Sequence, residues 1–266
     1  MDVRGKLFVV TGAGNGIGRE VVLHLLGAGA SVAGVDLSVD ALAATAALAG
    51  AGNRYTQHGV DIVDRAAVAA LPDAVAEAHG RPADGILNVA GVIQKFLKII
   101  DLPYEEIEKV MNVNFWGVVN MCKAFLPVLV TRPEAAILNV SSMGGFAPVP
   151  GQAAYGASKA AVMLLTEALY AELLDTNVAV TVIFPGAIGT DIAAHSGVTI
   201  DGADAAASTH KMTTAVRAAE VIVEALEKGS FRATIGSDAA TMDRLSRLNP
   251  RMATRLIAKQ MGDLLG

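Results

Sequence analysis

The chain begins with a short apolar segment that runs directly into a glycine-rich turn. Residues 7–10 (LFVV) are followed by TGAGNGIG at 11–18, and an apolar pattern of helical period then continues to about Ala28. Glycines between a strand and a helix allow positive φ angles and close backbone approach, and the free N–H groups at the start of a helix attract phosphate. The pattern predicts a strand, turn and helix that bind a nucleotide, although a purely structural turn would also explain it.

The same alternation of strand and helix patterns continues along the chain. Further strands are predicted at 31–35, 54–60, the 86–90 region, 135–141, 178–184 and 231–236, separated by helices ending near Ala49 and covering about 64–79, 104–130, 154–175 and 214–228. The strands are short and apolar on both faces, which is typical of a parallel sheet covered by helices on both sides. The predicted fold is therefore α/β, a Rossmann-type doubly wound parallel sheet of about seven strands with a helical C-terminal extension.

The composition narrows the functional classes. The 266 residues are 53% hydrophobic and 18% charged, which suits one large α/β domain and argues against disorder. The net charge of −5 provides no basic surface for nucleic acid. No apolar run reaches the ~18–20 residues of a membrane span, and a single cysteine, Cys122, allows no intrachain disulfide. No metal-ligand spacing is present, so no metal is predicted, and the cytoplasm is the expected location.

An acidic residue ends the second predicted strand. Asp36 lies where a carboxylate in dinucleotide-binding folds accepts hydrogen bonds from the adenosine ribose. Its charge would repel the 2′-phosphate of NADP, and no Arg or Lys interrupts the glycine turn, where Asn15 holds the place in which a cation could meet that phosphate. The pattern predicts that NAD is preferred over NADP. A carboxylate that only caps the strand end is the alternative.

Three polar side chains are grouped around the end of the fifth predicted strand. Ser142 ends that strand, and Tyr155 and Lys159 lie four residues apart on the next helix, hence on one face. A free tyrosine has a pKa of about 10, and a nearby ammonium group that lowers it to about 7 must supply about 4 kcal/mol. Tyr155 could then exchange a proton with an alcohol or ketone while Ser142 holds the same oxygen. A Tyr–Lys pair at this spacing also occurs by chance.

Together these motifs resemble those of the short-chain dehydrogenase/reductase family. The match covers about residues 5–236. It is carried by TGAGNGIG (11–18), Asp36, Asp61-Ile62, NVAG (88–91), Asn114 in NVNFWG, Ser142 in NVSS, YGASK (155–159) and PGAIGT (185–190). The chain has Val89 where the family often has Asn, at a position that looks structural.

The resemblance implies roles for individual residues. Asn114, Ser142, Tyr155 and Lys159 would be the catalytic group, with Asn114 helping to hold a water in a proton relay through Lys159. Asn114 could instead bridge helices, and Thr190 could be a helix N-cap. The cofactor-binding residues implied are Gly12, Asn15, Gly16, Ile17, Gly18, Asp36, Asp61, Ile62, Asn88, Ala90, Gly91, Tyr155, Lys159, Pro185, Gly186, Ile188 and Thr190.

The predicted activity is reversible hydride transfer between NAD and a secondary alcohol/ketone pair. The candidate substrate contacts are Gln94, Met143, Phe146, Gln152 and His195. The polar, Ala- and Gly-rich segment at about 189–213 resembles the substrate lid of this family. Because the other residues around the candidate pocket are mostly apolar, a hydrophobic or alicyclic alcohol is expected rather than a sugar.

The last residues form a predicted tail. We expect one domain over 1–240, including the lid, and a helical tail over 241–266 that carries five basic and two acidic residues. Asn249-Pro250 indicates an N-cap followed by Pro at the first helical position. Two short helices are predicted, with one apolar face formed by Met242, Leu245 and Leu248 and another by Met252, Leu256, Ile257, Met261 and Leu264. The tail could pack on a neighbouring subunit, cover the substrate entrance or lie on an anionic membrane surface.

Two other functions remain open from the sequence. One is an NADPH-dependent ketoreductase acting on acyl chains, against which Asp36 argues. The other is a non-catalytic dinucleotide sensor or scaffold, against which the presence of Ser142, Tyr155 and Lys159 argues. The resemblance also implies a homo-oligomer, a tetramer or dimer, built through the helices at 104–130 and 154–175.

Overall fold

The computed structural model describes residues 1–190, 192–198 and 212–261. Nine strands are assigned in these ranges: β1 (Leu7–Thr11), β2 (Ser31–Asp36), β3 (Tyr55–Gly59), β4 (Gly85–Asn88), β5 (Ala135–Val140), β6 (Val178–Pro185), β7 (Ile188–Gly189), β8 (Thr213–Thr214) and β9 (Arg232–Ile235). Seven of them form one parallel sheet in the order β3-β2-β1-β4-β5-β6-β9. This sheet confirms the predicted doubly wound fold.

Helices connect the strands. In the described ranges they are α1 (Gly16–Gly27), α2 (Val39–Ala49), α3 (Arg65–His79), α4 (Tyr104–Met111), α5 (Gly117–Leu129), α6 (Ala153–Glu172), α7 (Ile192–His195), α8 (Ala215–Lys228), α9 (Ser237–Leu248) and α10 (Pro250–Met261). None of the helices in the part of the chain described here is long and apolar enough to cross a membrane.

The sheet separates two apolar cores. On one face, buried side chains of α1, α2 and α8 pack against the sheet, with Phe8 and Leu87 at the centre. On the other face, α3, α5 and α6 pack against Leu7 and Ile86 of the sheet, and α5 contributes Phe125. The strands therefore read as apolar on both faces because each face is buried under helices.

The order of the strands reverses at one point of the sheet. β1 pairs with β2 on one side and with β4 on the other, and Thr11 at the end of β1 is in register with Val35 and Asn88. In open parallel sheets this switch point leaves a crevice beyond the carboxyl ends of the strands. The glycine turn after β1 and the NVAG segment after β4 both enter this crevice.

Two parts of the chain differ from the predicted elements. The helix expected over 104–130 contains a π-helical turn at Asn112–Trp116, which no apolar period announces because the apolar face continues through it. The short β7–β8 ladder was also not predicted; it joins Ile188 to Thr213 across the two ends of the proposed lid. Residues 191 and 199–211 of that lid lie outside the described residues.

Candidate active site

The glycine turn is shaped by contacts that leave no space for side chains. Gly12 has φ +70°, and a Cβ on it would lie 3.0 Å from the backbone of Ala90. A Cβ on Gly18 would overlap the carbonyl oxygen of Gly12. The first turn of α1 can therefore pack against Gly12 only with glycine at position 18. The N–H groups of this first turn have no acceptor within the helix.

A cavity of about 580 Å³ opens beside this turn. It is bounded by the turn after β1, the end of β2, the segment after β3 and the segment after β4. Eleven of the seventeen predicted cofactor-binding residues line it: Gly12, Asn15, Gly16, Ile17, Gly18, Asp36, Asp61, Ile62, Ala90, Gly91 and Thr190. Thr190 reaches the turn from the far side, because a Cβ on Gly16 would lie 3.6 Å from its methyl group.

Asp36 is held by the backbone on both carboxylate oxygens. Oδ2 accepts a hydrogen bond from the Gly14 N–H at 2.9 Å, and Oδ1 accepts from the Ser38 N–H at 3.0 Å. Asp36 therefore caps the strand end and also lines the cavity, so the two interpretations of this residue are compatible. A Cβ on Gly14 would lie 2.9 Å from Oδ2, and this requires glycine for the close approach.

Arg19 approaches the turn, a contact that the sequence analysis missed. Its guanidinium, carried by α1, donates to the carbonyl oxygen of Gly14 and, at 3.0 Å, to Asn15 Oδ1. Its Nε donates to Thr45 Oγ1 at 3.2 Å. No Arg or Lys lies within the glycine turn itself, as the sequence shows, but Arg19 follows it in the first turn of α1 and reaches back to it.

The Ser, Tyr and Lys group is brought together at the end of β5. Ser142 Oγ accepts from the Gly144 N–H at 3.0 Å and so starts the short turn that leaves the strand. Lys159 is 4% exposed, and its Nζ donates to the carbonyl oxygen of Val140 at 3.0 Å. The same Nζ lies 6.0 Å from the centre of the Tyr155 ring.

Burial controls the titration of the two ionisable members of this group. Desolvation raises the pKa of Tyr155, and a side-chain hydrogen bond with Ser142 acts in the opposite direction. Burial also lowers the pKa of Lys159 to about 8. The expected lowering of the pKa of Tyr155 is therefore not seen in the protein alone, because desolvation outweighs the hydrogen bond with Ser142.

Asn114 joins three segments around Lys159. Its Oδ1 accepts from the Val92 N–H at 2.8 Å, and its Nδ2 donates to Val92 O at 2.9 Å and to Ser158 Oγ at 3.0 Å. A Cβ on Gly91 would lie 3.1 Å from Lys159 Nζ and 3.2 Å from Asn114 Oδ1. The bridging role is thus present, and the proton-relay role remains a prediction.

Some predicted cofactor residues lie away from the cavity. Asn88 is buried in the core, where its Nδ2 donates to Asn139 Oδ1 at 2.8 Å. Pro185, Gly186 and Ile188 are outside the cavity lining, and a second missed residue, Asp238, braces their segment by accepting from the Ala187 N–H at 2.8 Å. A Cβ on Gly186 would overlap the carboxylate of Asp238. Only the fold shows this contact, because 51 residues separate Asp238 from Ala187.

The candidate substrate residues that the structure describes fall into a buried, hydrogen-bonded pair and a partly buried apolar pair. Gln94 and Gln152 are buried and hydrogen-bonded to each other's segments, so Gln94 has no free polar atom to offer a substrate. Met143 and Phe146 are partly buried and pack under the tail. His195 ends α7, and its side chain lies outside the described part of the chain.

The tail packs on the segment that follows Ser142. Met242 of α9 and Ala253 and Ile257 of α10 form a small apolar cluster with Ala147, and Met143, Phe146, Val149 and Leu245 pack against it. Asn249 caps α10 as expected, because its Oδ1 accepts from the Met252 N–H at 3.0 Å. Leu248 was wrongly assigned to an apolar face and is 85% exposed, since α9 ends there. The structure does not describe the side chain of Met261 or any part of Leu264.

Comparison with known proteins independently supports the fold and the family that the motifs indicate. The short chain dehydrogenase family matches residues 6–200. SadH of Mycobacterium tuberculosis, named as an oxidoreductase, is 38% identical over 263 residues, which are 96% of this chain and 94% of SadH. Two solved structures share the fold. A short chain dehydrogenase/reductase from Burkholderia phymatum in complex with NAD has a TM-score of 0.86 at 27% identity and covers 95% of this chain and 96% of its own. A short chain dehydrogenase from Burkholderia cenocepacia in complex with NADP has a TM-score of 0.81 at 25% identity, with 97% and 99% covered.

Proposed function

Because this chain belongs to the short-chain dehydrogenase/reductase family and is an NAD(P)-dependent oxidoreductase of CH–OH and keto groups, we propose that it interconverts a hydrophobic or alicyclic secondary alcohol and its ketone, with NAD preferred. The observation that carries the proposal is the position of Ser142, Tyr155 and Lys159. They meet at the end of β5, and Gly91 connects Lys159 to a cavity of about 580 Å³.

The cavity fits a dinucleotide. Gly12, Gly18 and Gly91 keep its wall free of Cβ atoms, and the start of α1 offers unpaired N–H groups suited to a pyrophosphate. When bound, NAD or NADP supplies the hydride acceptor or donor. Asp36 at the end of β2 would hold the adenosine ribose, and Thr190 would close the cavity opposite the glycine turn.

Tyr155 is the proposed general acid/base. In alcohol oxidation its phenolate takes the hydroxyl proton, and in ketone reduction its phenol returns a proton to the oxygen. Ser142 hydrogen-bonds the same oxygen and orients it toward Tyr155. Lys159 contributes positive charge behind Tyr155, and the lowering of its own pKa to about 8 leaves it mostly protonated at neutral pH. Asn114 and Ser158 would connect this group to the main chain at Val92.

The NAD preference is based on Asp36. Its carboxylate lines the cavity at the end of β2, where it would hold the adenosine ribose, and it would repel the 2′-phosphate of NADP there. One observation favours the alternative, an NADPH-dependent ketoreductase: Arg19 lies within hydrogen-bonding distance of Asn15 on the same wall. The NADP-bound Burkholderia cenocepacia relative makes the comparison of both cofactors necessary.

The proposed substrate class follows from the wall beside Tyr155. Met143, Phe146 and Val149 belong to the segment between Ser142 and Tyr155, are partly buried and pack against the tail cluster, and we propose that their remaining apolar surface faces the substrate. Such a wall favours a ligand that buries hydrocarbon and directs one oxygen to Ser142 and Tyr155. We propose that the tail covers the substrate entrance and that residues 1–240 act as one domain.

The association and location of the chain are also proposals. Leu164 on α6 is 65% exposed, and Trp116, in the turn before α5, is 42% exposed; both lie on helices expected to form a homo-oligomer. Sedimentation of the full chain and of Leu164→Glu would test this, because a charge there should release smaller species. A cytoplasmic location stays a prediction from the sequence.

A panel of secondary alcohols with NAD and with NADP tests the function. It includes cyclohexanol, 2-octanol, a hydroxysteroid and a sugar alcohol, each followed by absorbance of the reduced cofactor. We expect turnover of at least one apolar alcohol with NAD and a loss of about 10²–10⁴-fold in kcat for Tyr155→Phe. Cofactor binding without turnover of any alcohol or ketone would favour the sensor alternative, and full activity of Tyr155→Phe would exclude Tyr155 as the acid/base.

A further inference from the structure

The helix that carries Tyr155 lacks a cap from its own first residues. The N-cap residue of α6 is Gln152, and its side chain makes no hydrogen bond to the helix N–H groups. At most helix starts, the N-cap side chain accepts from the second or third helical N–H, here those of Ala154 and Tyr155. Without an acceptor, these two groups would be unpaired in the interior.

Gln94 supplies that acceptor from a distant segment. Its Oε1 accepts from the Ala154 N–H at 2.8 Å and from the Tyr155 N–H at 3.0 Å. Its Nε2 donates to the carbonyl oxygen of Gly151 at 2.9 Å. The side chain is fully buried, and each polar atom of its amide has a partner. Gln94 therefore caps the N-terminus of α6, although it lies 60 residues before Ala154 in the chain.

A reciprocal bond makes the contact a clamp. Gln152 Nε2 donates to the main-chain carbonyl oxygen of Gln94 at 2.8 Å, and the Leu97 N–H donates to Gly151 O at 3.3 Å. Gly151 has φ +79°, which allows the chain to turn toward Gln94 just before α6 begins. The loop after β4 and the start of α6 therefore hold each other through main-chain and side-chain atoms together.

The clamp connects the two halves of the site. Ala90, Gly91 and Val92 line the cofactor cavity, and Gln94 follows them by two residues. Tyr155 is the third residue of α6, so its backbone N–H is itself one of the clamped groups. We propose that Gln94 is a positioning residue that sets Tyr155 relative to Ser142 and the cofactor wall. This inference rests on the proposed acid/base role of Tyr155.

The expected size of the effect follows from geometry. A displacement of about 1 Å in a reacting group can lower a rate by about 10²-fold. Removing the acceptor would let the first turn of α6 open, and Tyr155 would move with it. Cofactor affinity should change little, because residues 89–92 are the only part of the described cavity lining next to Gln94 in the chain, while the glycine turn, Asp36 and Asp61-Ile62 belong to other segments.

Two variants at this position separate capping from packing. Gln94→Met keeps the length of the side chain but removes every hydrogen bond. Gln94→Glu keeps an acceptor oxygen for the two N–H groups, favoured by the helix N-terminus, and replaces the donor to Gly151 with a second oxygen. Asp64→Ala is the matched control, because Asp64 Oδ1 accepts from two N–H groups, those of Ala66 and Ala67, at the start of α3, which carries none of the proposed catalytic residues.

Four measurements are made on the full chain. They are kcat with cyclohexanol and NAD, Kd for NADH by fluorescence, amide hydrogen exchange of residues 152–158, and the titration of Tyr155 at 295 nm after subtraction of the matching Tyr155→Phe variant. The last two do not require turnover. If wild type fails to oxidise cyclohexanol, the proposed substrate class is weakened, and the exchange and titration data still decide the role of Gln94.

We expect Gln94→Met to lose about 10–100-fold in kcat with Kd within about twofold, and to exchange faster at 152–158. Gln94→Glu should keep kcat within about threefold at its optimum and raise the pKa of Tyr155, because it adds a negative charge beside the helix start. Asp64→Ala should lower the melting temperature without these changes. The proposal is overturned if Gln94→Met alters only the melting temperature, or if Gln94→Glu loses as much activity as Gln94→Met and leaves the Tyr155 titration unchanged.

Discussion

The proposed cofactor cavity around the glycine turn and the proposed substrate wall between Ser142 and Tyr155 are built differently, and we call them the cofactor side and the substrate side. On the cofactor side, the main chain shapes the cavity, and Gly12 and Gly18 work because they lack a Cβ. On the substrate side, apolar side chains from distant segments pack together, with Phe146 against the cluster that contains Met242 and Ile257. A cavity shaped by the main chain tolerates few substitutions, whereas a wall of packed side chains can change shape through residues that never touch the ligand.

The largest expected effect tests the cofactor side. In Gly18→Ala the added Cβ would overlap the Gly12 carbonyl oxygen, so the turn must open. We expect NADH binding, measured by fluorescence titration, to weaken more than about 100-fold. Gly27→Ala is the control, since it lies in the same helix and a Cβ there meets no atom within 4 Å. Equal affinities for the two variants would mean that the turn adapts.

A smaller effect is expected from charge at the ribose position. Asp36→Asn keeps an acceptor but removes the negative charge, and we expect the ratio of kcat/KM for NAD over NADP to fall about 30-fold. The measurement is initial rates with both cofactors. Asp40→Asn removes a charge from the first turn of α2, outside the cavity lining, and should leave the ratio unchanged. If Asp36→Asn behaves like Asp40→Asn, the discrimination lies elsewhere, with Arg19 the first residue to examine.

The substrate side should respond with a change in KM alone. Ile257→Ala opens a gap in the tail cluster, and we expect KM for the best apolar alcohol to rise about tenfold while the Kd for NADH stays within about twofold. Leu256→Ala, one residue earlier and 37% exposed, is the matched control. A loss of NADH affinity in Ile257→Ala would show that the two sides are not separable.

Lys159 lies between the two sides, and its effect on stability is the smallest predicted. Burial lowers the pKa of Lys159 from 10.5 to about 8 in the folded chain. Below pH 8 the folded and the unfolded chain both hold the proton, and burial of the charge destabilises the folded state. Above pH 8 the folded state releases the proton first, and stability is gained up to pH 10.5. Relative to Lys159→Met, wild type should gain about 1 kcal/mol of unfolding free energy between pH 7 and pH 9 in urea titrations. Parallel curves for the two proteins would contradict this.

The cofactor side could be predicted from the sequence better than the substrate side, for a physical reason. Strands buried on both faces leave a continuous apolar pattern, so the sheet and its helices could be placed. The glycine turn and Asp36 are local features whose surroundings follow from their own strand. Asp238 and Gln94 act on segments that only the folded chain brings near. Arg19 acts on residues four and five positions away, but no local pattern indicates where its long side chain points.

The tail also shows that local contacts can be predicted from the sequence and distant ones cannot. Asn249 was recognised as a cap because its partner, the Met252 N–H, is three residues away. Leu248 was assigned to an apolar face because the period of α9 includes it, but the helix ends there and the side chain meets solvent. Periodicity identifies which residues share a face and does not say how far the neighbouring surface extends.

Gly91 places a restriction on how this protein can diverge. A side chain there would meet the Lys159 ammonium and the Asn114 amide at the same time. A larger residue at position 91 would therefore have to displace both side chains by a few tenths of an ångström, and both belong to the proposed proton-transfer group. Homologues that have lost the reaction would no longer need glycine at this position. The residue at position 91 should therefore help to distinguish active from inactive homologues.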